Sequence, residues 1–454
     1  MPGRLFIPSA ALCLAAIVVC LCLMPGVGLI RFVTASVAIS LITSCTFLRC
    51  PFRSRGGAIV LLLAFTLTAC GVIANVHWFT AGLGGDCAHP VLLNSDAALD
   101  WGAASGQSVE RVRNYSRLIG ALLALFGTDI TVPLLFNQLC YMLTLLLTGA
   151  IAWALTADRR VATVAMAAAL LVFYLGVQAT VLIKDVPLTM LMGIVALLCV
   201  RLYKSAAKCQ LPLWLALALT TLAMMFLRDN IMFFLALGFG MMALRFRPLR
   251  IDWHFGVAVV LCLAARGILP LLQPDATTVA SSLSLDTARY IQFPGSNADA
   301  WDRILGDYSA ISLAGRLLWL PVALAVQFVI PLPWNCMSYI DFGLTEPLAH
   351  CGFFWYIAGA LVLYWLFADM RHAGGGFRRL TLWGVAMTVL TAYATGGHVS
   401  RYCLVYLPTL LPAAAWVAVR DYRRRNLWLW LGIFTLALAV VLAVAWHIQK
   451  GGGS

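Results

Sequence analysis

Apolar runs of about 20 residues, the length a helix needs to cross the hydrocarbon of a bilayer, recur from one end of this 454-residue chain to the other. Polar backbone cannot be left open in hydrocarbon, so such a chain has few folds to choose from, and helices are the first of them. With 62% hydrophobic and 11% charged residues, it is also far from the roughly 25% charge of a soluble domain. The runs predict spans near 5–24, 28–48, 57–77, 130–154, 161–180, 185–202, 211–227, 230–246, 254–273, 352–369, 379–396, 402–420 and 427–447. The expected fold is all-α, a polytopic bundle of about 13 transmembrane helices. A single membrane domain over 1–450 follows, with the Gly451–Ser454 tail read as a cloning remnant.

The formal net charge of +13 does not point to nucleic acid. Its basic residues lie in short connections: "LRCPFRSRGG", "TADRR", "RLYKSAAK", "LRFRPLR", "DMRHAGGGFRR" and "RDYRRRN". Under the positive-inside rule all six belong on the cytoplasmic side. The opposite side then receives two long polar stretches, 78–129 and 273–309, the 335–350 connection, and the tight turns "IKD", "RDN" and "GGHVSRY"; outer loops 78–129 and 273–350 would cover a site there. Arg316–Trp334 is apolar enough to span, but a crossing there would send "DMRHAGGGFRR" outward. With Pro321, Pro331 and Pro333 disfavouring one straight helix, a re-entrant or interfacial segment is expected instead. Most of the 14 cysteines sit within apolar runs as small hydrophobes; Cys336 and Cys351, in a polar connection, could pair on an oxidising side.

Charges at the rim of a span are costly and need a use. Lys184-Asp185 opens a span in "LIKDVPLTM". A snorkelling lysine beside a helix-capping aspartate is the plain account. The functional account has the lysine hold an anion while the aspartate orients or deprotonates a hydroxyl. Arg228-Asp229-Asn230 is squeezed between two apolar runs, a salt-bridged turn or a second cationic site, and Arg401 opens a late apolar run near His398 and Tyr402. Three cations on one face suit a phosphate group better than three separate lipid anchors. In the first long loop, "LLNSDAALDW" fixes Asp96 at the start of a short helix with Asp100 four residues on. His89 and His398 could shuttle protons or bind zinc, but no second ligand stands at metal spacing.

Taken in order, these patterns resemble the GT-C superfamily of membrane glycosyltransferases: the acid of the first outer loop (Asp96 or Asp100), the Lys-Asp pair of "LIKDVPLTM", "FLRDN" at a tight outer turn, and "SRYCLVYLPTLLP" late in the chain. The resemblance implies a GT-C-like architecture whose outer loops and interfacial helices cover the site. It also implies sugar transfer from a polyprenyl-phosphate carrier to a cell-envelope acceptor, such as lipopolysaccharide or another glycan, a glycolipid or a surface protein. The setting would be a bacterial inner membrane with the active site facing the periplasm. Lys184, Arg228 and Arg401 would stabilise the phosphate leaving group, with Asp96 or Asp100 as base and Asp185 as second acid. Asp229, Asn230, His398, Tyr402 and His89 would take secondary or acceptor roles. Its partners would be the lipid-linked sugar, the acceptor and membrane lipids. No cofactor is required, though converging acids would suit a divalent ion. Two apolar segments precede the first outer loop where the family has one, which leaves Asp96 and Asp100 as alternatives. A glycan polymerase or ligase, or a transporter or lipid flippase, are the competing classes.

Overall fold

The computed structural model describes residues 3–23, 28–80, 114–127, 129–204, 210–228, 231–246, 249–251, 253–272, 312–329, 353–395 and 404–451. Those residues form sixteen helices: α1 (Gly3–Leu23), α2 (Leu29–Arg49), α3 (Arg55–Thr80), α4 (Asn114–Phe126), α5 (Thr131–Thr156), α6 (Arg159–Leu171), α7 (Phe173–Gln178), α8 (Asp185–Lys204), α9 (Gln210–Leu227), α10 (Ile231–Ala243), α11 (Trp253–Leu272), α12 (Leu313–Val329), α13 (Phe353–Ala368), α14 (Gly375–Thr395), α15 (Leu407–Arg420) and α16 (Arg425–Gly451). One small hairpin, β1 (Leu244–Phe246) with β2 (Leu249–Ile251), joins α10 to α11.

Each predicted span holds helix, and among the described residues five helices are long and apolar enough to cross a membrane: Leu29–Arg49, Arg55–His77, Thr131–Thr156, Asp185–Lys204 and Gln210–Leu227. Several boundaries differ from the expectation. The 161–180 run is broken at Val172, where ψ of 74° ends α6 before α7 begins. The run expected to continue to 246 stops at Ala243, because Leu244–Phe246 turns into the hairpin. Part of the expected 78–129 loop is helix α4. Pro321 does not interrupt α12, which continues to Val329 while packed against α13, α14 and α16; neighbouring helices make a proline tolerable inside a membrane helix.

Helix ends explain the turns between them. Ala157 adopts a left-handed conformation (φ 53°) and its N–H closes onto the Trp153 carbonyl, ending α5; the Asp158 carboxylate then accepts from the Arg160 N–H at 2.8 Å and starts α6.

The basic connections meet on one face of the bundle. Ser54, after α2, bonds Thr163 at the start of α6 at 2.8 Å. The Lys204 ammonium donates to the Ala154 carbonyl at the end of α5. Arg379 lies 4.7 Å over the Tyr203 ring and donates to the Met242 carbonyl at 3.0 Å, and Arg424 reaches Asp369 at 3.2 Å. On the opposite face Arg31 pairs with Asp129 at 3.8 Å, and the ends of α3 and α7 and the start of α4 gather near the start of α8. His254 stacks on Trp214, near the α9 start, which places the α11 start toward the basic face; the Asp369 contact does the same for the α13 end. α11 therefore ends, and α13 begins, toward the opposite face.

Candidate functional site

Between α7 and α8 the chain runs without helix from Ala179 to Lys184, a strap set among buried helices. Pro187 has no N–H to offer the Ile183 carbonyl, which leaves that carbonyl without a helix partner and suits Pro187 to the first turn of α8. Turn hydrogen bonds from Thr180 to Val177 (2.9 Å) and from Val181 to Gln178 (3.4 Å) wind α7 down.

The strap carbonyls, deprived of helix partners, are met by side chains of earlier helices. Asn75 of α3 donates to the Thr180 carbonyl at 2.7 Å and to its hydroxyl at 3.0 Å. Asn137 of α5 donates to the carbonyls of Val181 at 2.8 Å and Ile183 at 3.2 Å, and the Tyr115 hydroxyl of α4 donates to Ile183 at 3.0 Å. Asn75, Asn137 and Tyr115 are all buried. Irregular backbone away from water survives only when satisfied in this way. Asn137 lies six residues into α5, so the strap is recessed by roughly 9 Å from the start of that helix. α3 approaches closely at Gly71, where a Cβ would stand 2.6 Å from the Thr180 methyl.

This strap delivers the Lys-Asp pair. Asp185 begins α8 and is 2% exposed; Lys184 beside it is half-buried. Arg228, at the C-terminal end of α9, places Nη1 3.2 Å from Asp185 Oδ1. The carboxylate sits at the positive end of one helix dipole and the guanidinium at the negative end of another, so the backbone fields reinforce the pair. The site therefore has two cationic side chains and one carboxylate, on the face opposite the basic connections. The predicted residues Asp185 and Arg228 are brought together, and Lys184 precedes Asp185 in the chain. Asp96, Asp100, His89, Asp229, Asn230, His398, Arg401, Tyr402, Cys336 and Cys351 lie outside the described residues. Among the described residues, no three His, Cys, Asp or Glu side chains are grouped as a metal site.

Sequence reasoning passed over Asn75, Asn137 and Tyr115. A signal was present: "VIANVHW" and "LLFNQLCYM" each put an amide in the middle of an apolar run, where it is costly unless it has a partner. No family model, curated protein or solved structure matches the chain.

Proposed function

We propose that the chain is a membrane glycosyltransferase of GT-C type, crossing a bacterial inner membrane about 13 times and moving a sugar from polyprenyl phosphate to a cell-envelope acceptor at its periplasmic face. The observation that carries this reading is the Lys184–Asp185–Arg228 group at the recessed strap. An acceptor hydroxyl attacks the anomeric carbon, the bond from that carbon to the phosphate oxygen breaks, and polyprenyl phosphate leaves with the bonding pair. Lys184 and Arg228, joined by Arg401, stabilise the negative charge that gathers on the phosphate. Asp185, held in its ion pair, sets the direction of the Arg228 guanidinium; the hydroxyl proton goes to Asp96 or Asp100 of the first outer loop.

The test is turnover by the purified protein with a panel of polyprenyl-phosphate sugars and envelope acceptors. Lys184→Ala, and one of Asp96→Asn and Asp100→Asn, should each lower turnover by about 10²-fold or more while the protein stays folded. Donor left intact throughout the panel would sink the reading.

One observation favours a second reading. The break at Val172 and the strap make α6, α7 and α8 a discontinuous helix with charge at a half-helix end, an arrangement transporters use for anionic substrates. On that reading the same residues carry a lipid phosphate across the bilayer, and lipid would change leaflet in proteoliposomes with no sugar transferred.

A further inference from the structure

Away from the strap, on the basic face, two acids close two helices: Asp369 follows α13 and Asp421 follows α15. They are 6% and 1% exposed. Arg424, just before α16, reaches both, with Nη1 3.2 Å from Asp369 Oδ1 and Nε 2.9 Å from Asp421 Oδ1. The second oxygen of each carboxyl, Oδ2, is buried and accepts no hydrogen bond among the described residues. Because one guanidinium contacts both, the two carboxyls are held close to one another. Two buried anions share contact with a single, largely exposed guanidinium, while Arg420 acts on Asp421 through its charge, and carboxylates this close do not both ionise readily. One proton between them removes one negative charge and gives the carboxyl pair the donor it lacks.

We propose that Asp421 keeps a proton and presents it to the Asp369 carboxylate, which makes the junction of α13, α15 and α16 a pH-responsive fastening on the basic face of the bundle. The charged and titratable groups around the pair are Tyr364 of α13, Arg420 of α15, and Arg424. Burial pushes the Asp421 carboxyl up to about 7, reinforced by the hydrogen bond and charge of Asp369 and opposed by Arg424 and Arg420. A carboxyl raised on folding stabilises the native state most below its unfolded value, and that contribution is lost as pH rises through about 7. With the proton gone, two anions face each other and the fastening loosens.

Thermal unfolding of the full chain in detergent, followed from about pH 5.5 to about pH 8.5, tests this against Asp421→Asn and Asp369→Asn. The wild-type midpoint should fall by roughly 2–4 °C more across the range than that of either variant, since an amide cannot lose the proton. Equal slopes in all three proteins would overturn the proposal. If neither variant accumulates, infrared spectra of the wild type decide the matter: a protonated carboxyl band that disappears near about pH 7 supports the proton on Asp421, and its absence refutes it.

Discussion

The Asp185–Arg228 pair shows what a single residue costs in this setting. Removing the guanidinium strands a carboxylate that is 3% exposed at its side chain. Arg228→Ala should destabilise the protein by about 3 kcal/mol, the low end for a broken buried pair because Arg228 keeps a fifth of its side chain in solvent. Asp185→Asn in the same chain should restore part of that loss, and a double-mutant cycle of thermal unfolding measures the coupling. Strict additivity would mean that the pair does not interact. These charges were legible in the sequence because an ionisable group flanked by apolar runs has few uses. The donors that support them were not. Asn75 and Thr180 are 105 positions apart, and only the packing of α3 beside the strap tells which carbonyl the amide meets.

Among the elements, α10 and α14 meet most tightly at Gly238. A Cβ there would stand 1.8 Å from the Trp383 ring, which is fixed in turn by its indole N–H donating to the Phe234 carbonyl at 3.1 Å. A small residue is what lets the two backbones approach, as is common where membrane helices cross. Gly238→Ala should therefore destabilise by about 1–3 kcal/mol or more, because a rigid buried indole cannot step aside. Gly240→Ala, with nothing within 4 Å of the added methyl, should be neutral or stabilising by up to about 1 kcal/mol, and unfolding midpoints compare the two. Helix positions followed from apolar runs, but their interruptions did not. "VATVAMAAALLVFYLGVQAT" is apolar throughout, and no residue in it announces the break at Val172. Pro187 does announce the start of α8, through the N–H it lacks.

For the whole molecule, sidedness was the most legible property, since the six basic connections predicted one face and the helix-end contacts join them there. A chain whose only cysteine replaces exposed Arg371 should react with an impermeant thiol reagent from one side of sealed vesicles. One whose only cysteine replaces exposed Phe126, at the end of α4, should react from the other. Labelling of both from a single side would refute the arrangement. The strap has a consequence for how such a chain is made. Asn75, Tyr115 and Asn137, its three side-chain donors among the described residues, all precede residues 179–184 in the sequence. Synthesis from the N-terminus therefore has these three donors in the membrane before the carbonyls they meet arrive, and those carbonyls need not wait in lipid for a partner.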